Sequence, residues 1–437
     1  MNLLRFILGL LFFMLFFSRV DAQPRNHTID SLIQLITVDS YRFHFDSLRT
    51  TEGCTRKVTE TLEQSSDHDQ CRDYIQRKLS EYLGKDNVRT DYFDVGKNSG
   101  LANITAYKNG RSPWDGILII SAHYDSNNNL EKREQQAKYS PGANDNGTGI
   151  AALLEIARVL SGIKTELPVL FAAWDIEEQY TGYYPSGSGN WYHKHVMSRR
   201  KLKKIQATNP DSRFYFFKDL LTANVNFDMF GHPNDTIEGK LILWACSGDW
   251  SHSKYVDRYV SVFNRYSPGI RAVNYGTMTY SDHYTFAAHK IPAVENLESD
   301  YAIDPFYHTS LDNYENPDNI NFDFAVDVVR GGFAFILETI GLVMPDVFFD
   351  RGNEIRLIET PLAYLIETAD SSCELSVYNS RGKLLEMNRK DGYFELSPER
   401  DGLYVFCVRK GWKQKFIKLS LKKKKGFSYP SCKDVWL

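Results

Sequence analysis

Two histidines and several carboxylates stand where chemistry could be done. Each lies within a few residues of a segment apolar enough to be a buried strand, or at the mouth of a helix. The segment SAHYDS puts His123 and Asp125 directly after the run GILIIS (116–121), and PGANDNGTG delivers Asp145 to a helix start. WDIEE sets Glu177 and Glu178 just past LPVLFAAW (167–174), NFDMFG places Asp228 at the end of TANVNFDM (222–229), and FYHTSLDN carries His308 and Asp312. Singly, each has an ordinary explanation. A lone His-x-Asp is commonly structural, and an aspartate ahead of a helix commonly caps it. Together, His123, Asp145, Glu178, Asp228 and His308 offer nitrogen and oxygen donors of the kind zinc prefers, and cobalt or manganese fit the same set. With two adjacent glutamates, one can ligate a cation while its neighbour works as a base.

These residues need a scaffold that brings strand ends together. GILIIS and LPVLFAAW are continuous apolar runs of the two-face-buried kind, with further strands expected at 87–95, 101–109, 222–229 and 240–245. Helices are expected at 29–50, 68–83, 147–159, 187–205 and 252–266, and a long one at 322–343 ended by Met344-Pro345. Alternating strand and helix predicts an α/β fold: a three-layer α/β/α sandwich with a mixed, mostly parallel central sheet. In such sheets ligands bind beyond the carboxyl ends of the strands, where the candidate residues fall. From about residue 350 the period changes to two, with turn signals at 379–382 and 401–402, which predicts a small C-terminal antiparallel β-domain of sandwich character.

The order HYD, GANDNGTG, EE, NFD, SDH and YHTSLD resembles metallopeptidase family M28, the zinc aminopeptidases, over roughly residues 50 to 345. That resemblance implies two zinc ions per chain. Asp145 would bridge them, Glu178 and His308 would complete one, and His123 and Asp228 the other. It further implies Glu177 as general base, a cis peptide at Asp145-Asn146, and a substrate cleft lined by SDHYTF (281–286), where Tyr280 is expected to donate to the oxyanion. Asp125 is expected to orient His123, Asp312 either to do similar work near His308 or to lie at the surface, and His283 to be structural. The expected activity is hydrolysis of N-terminal residues from peptides. One alternative lies in the same superfamily: a glutaminyl-peptide cyclotransferase using a single zinc at Asp145, Glu178 and His308. Another is a non-catalytic binding protein of the same fold. QYTGYYPSGSGNWY (179–192) departs from the family pattern, and its aromatics Tyr180, Tyr183, Tyr184 and Trp191 are expected either to shape the cleft wall or to pack.

Composition limits the partners. Among 437 residues, 52 basic and 55 acidic ones leave a formal charge of −3, so there is no global field to attract nucleic acid; peptides are the expected partners. Residues 1–22 have the form of a signal peptide, with Arg5, an apolar run and a Val-Asp-Ala end, so the protein is expected to be exported to the periplasm, cell surface or medium. No membrane span is expected after cleavage. The peptidase domain is expected over 23–345 and the β-domain over 350–437. The latter resembles C-terminal sorting domains of type IX secretion, which implies secretion machinery as a partner, although LKKKKGFSYPSCKDVWL continues past the last expected strand; an inert accessory domain is the alternative reading. Six cysteines permit disulfides, with Cys54–Cys71 and Cys373–Cys407 as candidate pairs.

Overall fold

The computed structural model describes residues 25–49, 66–130, 140–180, 182–209, 211–316 and 318–342, with shorter stretches between 355 and 421. The proposed signal segment 1–22 lies outside the described residues, as do Cys54, Cys373 and Cys432. Cys71, Cys246 and Cys407 are buried.

The central sheet is built from β1 (Val88–Val95), β2 (Asn98–Lys108), β3 (Ile117–His123), β4 (Val169–Trp174), β5 (Leu221–Phe227), β6 (Thr236–Ile237), β7 (Lys240–Ser247), β8 (Arg271–Thr277) and β9 (Ala293–Glu298). Its order is β1-β2-β4-β3-β5-β9-β7-β6, with β8 also paired to β7. The inner strands β4, β3, β5 and β9 are mutually parallel, and antiparallel pairs flank them. All seven residues of β3 are buried because layers of helices cover both faces. Alternation divides them: Leu118, Ile120 and Ala122 join a core with the helices Gly149–Leu160 and Phe322–Ile340, while Ile117 and Ile119 join Trp191, Phe216 and Phe286 on the other face. Each Leu or Ile buried this way contributes about 1.5–3 kcal/mol.

The helix Gly149–Leu160 has no solvent face, for all twelve of its residues are buried. Helices His27–Ile33 and Val38–Ser47 close over it, with Tyr41 donating to the Thr148 carbonyl and Ser40 to Glu155. Glu155 is tolerable there because Arg158 pairs with it at 2.7 Å and His44 lies 3.4 Å away. The single helix expected over 29–50 is divided by Thr37, which forms a reciprocal cap with Ser40. Likewise 187–205 is two helices, Gly187–His195 and Arg199–Gln206, parted where Val196 bridges Phe216 and Ser198 caps the second. The closing helix stops at Ile340, ahead of the expected Met344-Pro345, because Gly341 takes φ 66° and bonds back to Leu337.

Asp91 ties β1 to the helix Gly187–His195. Its buried carboxylate faces Arg89 at 2.8 Å, Lys194 at 2.9 Å and His195 at 3.1 Å. Burial alone would raise its pKa, but His195, Lys194 and Arg89 outweigh that and hold it well below the usual carboxylate range. A depressed folded pKa stabilises the fold above the unfolded value of about 3.9, and the contribution is lost as pH falls through the folded value. Asp91→Asn is therefore expected to cost roughly 1.5–3 kcal/mol at pH 7. Urea unfolding should show the gap to wild type narrowing as pH falls below about 4.

Beyond the α/β unit lie two four-stranded antiparallel sheets. The first contains β10 (Ile355–Glu359), β11 (Tyr364–Thr368), β14 (Asn388–Lys390) and β15 (Tyr393–Leu396). The second contains β12 (Glu374–Asn379), β13 (Leu384–Leu385), β16 (Gly402–Lys410) and β17 (Lys413–Leu421). Tyr364, Ile366 and Leu396 of the first share a core with Val377, Phe406 and Val408 of the second, which makes the pair a small sandwich.

Candidate metal centre

Every candidate ligand comes from the carboxyl edge of the four parallel strands. His123 ends β3, Asp228 follows β5, Glu178 follows β4, and His308 lies on the chain that leaves β9. Asp145 comes from the crossover between β3 and the helix Gly149–Leu160. Asp145 and Asn146 there have non-helical backbone angles and the peptide bond joining them is cis. Gly149 permits the close approach of that helix to β5, since a Cβ would sit 2.3 Å from the Phe227 carbonyl oxygen. Asn146 spans the same gap, donating to Phe227 O at 2.9 Å and accepting from Gly149 N at 2.9 Å.

The donors form two groups that share one residue. His123, Asp145 and Asp228 make the first; Asp145, Glu178 and His308 make the second. Asp145 turns one oxygen to each: Oδ1 is 3.2 Å from His123 Nε2 and Oδ2 is 3.1 Å from His308 Nε2. His123 Nε2 also lies 3.1 Å from Asp228 Oδ1, and His308 Nε2 lies 3.0 Å from Glu178 Oε2. The field in this pocket favours positive charge. Burial opposes protonation of His308, yet Glu178 and Asp145 overcome it and raise its pKa to about 10. At His123, burial is likewise outweighed, by Asp228, Asp125 and Asp145, and the pKa stands well above its usual value. Glu178 Oε1 is buried and accepts no hydrogen bond among the described residues, which leaves an oxygen for ligation. Two imidazoles among three carboxylates fit a divalent cation in each group.

The surrounding residues hold these side chains. Asp125, expected to orient His123, has its carbonyl oxygen 3.2 Å and its Oδ1 3.4 Å from His123 Nδ1. The same carboxylate accepts the backbone N–H groups of Glu177 and Glu178 at 3.0 and 3.1 Å, so it also positions the paired glutamates. Asp125→Asn would turn an amide donor toward an N–H, and is expected to weaken metal affinity by about 10- to 100-fold in a chelator competition assay. Asp312, expected beside His308, instead accepts from the backbone N–H groups of Asn144 and Asp145 at 2.6 and 3.0 Å, with Asn319 donating at 2.8 Å. It is Asp145 that Asp312 supports; burial raises its own pKa to about 7.

Glu177 begins the short helix Glu177–Tyr180 and its side chain is aimed at no protein group: among the described residues its carboxylate makes no hydrogen bond or ion pair. Burial raises its pKa well above the ordinary value, with Asp282, Asp228 and Glu178 adding to the shift against His123. Tyr280 is 61% exposed, and its hydroxyl makes no hydrogen bond among the described residues. His283 is buried, with Nε2 2.9 Å from Met278 O and Nδ1 3.1 Å from Glu295, a packing role. Trp191 lies in the core, whereas Tyr183 and Tyr184 are exposed. Sequence reasoning passed over Ser281, which donates to Asp228 Oδ2 at 2.5 Å, although its motif SDH had been singled out.

A mixed sheet that sets two donor groups able to hold metal ions beyond its parallel strand ends has the architecture of a metal-dependent enzyme of the α/β class. Residues 103–331, more than half of the chain, match the model of peptidase family M28, and the chain belongs to that family. Aminopeptidase YwaD of Bacillus subtilis is 25% identical over 239 residues, 53% of this chain but 43% of the Bacillus protein, so the chain spans less than half of that relative. The LapA aminopeptidase of Legionella pneumophila shares the fold with a TM-score of 0.53 at 19% identity, covering 74% of this chain and 78% of LapA. The glutaminyl cyclase of Tannerella forsythia shares it with a TM-score of 0.51 at 18% identity, covering 70% and 98%.

Proposed function

We propose that this chain is an exported zinc aminopeptidase holding two zinc ions. The observation that carries the reading is the pair of donor groups joined through the two oxygens of Asp145, with the unpartnered Glu177 carboxylate beside them. A single-zinc cyclase would use the second group alone, so it is metal at the His123–Asp228 group that separates the two readings. The chemistry zinc supplies when bound is polarisation of the scissile carbonyl and acidification of water. Glu177 takes the water's proton and passes it to the leaving amine. Tyr280, exposed and next to Ser281, offers its phenol to the developing oxyanion. Asp125 and Asp312 keep the glutamate pair and Asp145 in place while this happens.

Export follows from the form of residues 1–22, and we assign the C-terminal sandwich the role of a secretion address on its resemblance to sorting domains. Among the described residues no helix is long and apolar enough to cross a membrane.

The test is a kinetic panel of aminoacyl arylamides, N-blocked peptides and N-terminal glutaminyl peptides, run with and without chelator. Hydrolysis of free-amine substrates only, abolished by chelator and restored by zinc, is the expected result. Ammonia release from glutaminyl peptides without cleavage would replace this reading with the cyclase.

A further inference from the structure

A hollow of about 460 Å³ opens beside the site, lined by Trp244, Tyr275, Tyr280, Asp300, Tyr301 and Ile303 among others. Two links place it next to the metal-binding groups. Tyr280 immediately precedes Ser281, whose hydroxyl holds Asp228. On the other side the Tyr301 ring meets Tyr307 edge-on at 5.5 Å, and Tyr307 stacks on His308 at 3.8 Å.

The wall of the hollow is aromatic. Trp244 on β7 and Tyr275 on β8 are stacked at 3.8 Å with their planes 16° apart, and Tyr301 stands perpendicular to Trp244. Tyr275 and Tyr280 are both well exposed. Of the lining residues only Asp300 is charged, and its carboxylate makes no ion pair or hydrogen bond among the described residues. Asp300 is held at φ 52° directly ahead of the turn Tyr301–Ile303.

We propose that this hollow receives a cationic side chain, that of lysine or arginine, on the N-terminal residue of the peptide. The inference rests on the aminopeptidase reading and gives it a substrate class. Ring faces carry negative quadrupolar charge and attract an ammonium or guanidinium, and Asp300 supplies the opposite charge. An apolar side chain would cover the Asp300 carboxylate without giving it a donor, which is costly. An acidic one would meet like charge.

The experiment compares kcat/KM for arginyl, lysyl, leucyl and phenylalanyl arylamides on the zinc-loaded full chain and on Asp300→Asn. Alongside it, quenching of tryptophan fluorescence is titrated with argininamide and leucinamide. The expected result is a preference for arginyl and lysyl substrates of about tenfold or more, with the arginyl-to-leucyl ratio falling about tenfold in Asp300→Asn. Hydrolysis with no such preference, or with a preference that ignores Asp300, overturns the inference and leaves the aminopeptidase reading standing. Asp300-dependent binding of argininamide without hydrolysis of any arylamide supports the cation site and sinks the reading it was built on. Absence of both hydrolysis and selective binding overturns both.

Discussion

Glu177→Gln is expected to lower kcat by about 10²- to 10⁴-fold while leaving the zinc content of the purified protein unchanged. The substitution keeps size and shape but removes a carboxylate that, among the described residues, bonds to no protein group. The backbone N–H of Glu177 would still reach Asp125 at 3.0 Å, so the loop and its neighbour Glu178 keep their places. What is lost is the capacity to accept a proton at an atom facing the reaction space. Steady-state kinetics paired with metal analysis checks this. Activity within tenfold of wild type, at full zinc content, would remove Glu177 from the mechanism and leave the donor groups to be explained in another way.

Asp145→Asn is expected to act through metal occupancy. Only a carboxylate can offer an anionic oxygen to each group at once, with Oδ1 toward His123 and Oδ2 toward His308. An asparagine gives one neutral oxygen and one amide donor, so zinc stoichiometry should fall from two to one or fewer. The expected loss in kcat/KM is about 10³-fold, the equivalent of several kcal/mol of transition-state charge stabilisation. Stability should move with it, because a cation that binds only the folded chain adds about 2.7 kcal/mol when present at 100 times its Kd. The variant should therefore show a smaller rise in Tm on adding zinc than wild type does. An unaltered stoichiometry of two would show that Asp145 is not the shared ligand.

Much of the centre was legible because β3 opens on a continuous apolar run, β4 is one throughout, and β5 (LTANVNF) alternates apolar and polar residues, so His123, the glutamate pair and Asp228 could be set at strand ends by inspection. The strand β9 was not legible. Its sequence, AVENLE, carries Glu295 and Asn296 in the middle, which breaks the apolar signal, yet every residue of it is buried. The polar ones are tolerated through tertiary partners: His283 faces Glu295 at 3.1 Å, while Asn296 donates to Asn226 O at 2.9 Å and accepts from Tyr259. No local pattern announces partners tens of residues away. β8 was missed as well, a largely half-buried strand beside β7. The target of Asp312 was misjudged for a similar reason: nearness in sequence suggested His308, whereas the fold carries the carboxylate to the backbone of Asn144 and Asp145.

The contacts that fix Asp145 also set a timetable. Its own backbone N–H reaches Asp312 across 167 positions, the adjacent Asn144 side chain reaches Glu298 across 154, and the helix behind it is sealed by Ser40 on Glu155 across 115. Contacts of such long range form late, after the intervening chain has been gathered. A nascent or partly threaded chain that has not yet delivered Asp312 cannot hold the shared carboxylate in register. The donor cluster is thus a property of the finished fold, complete only when the two ends of the α/β unit have met.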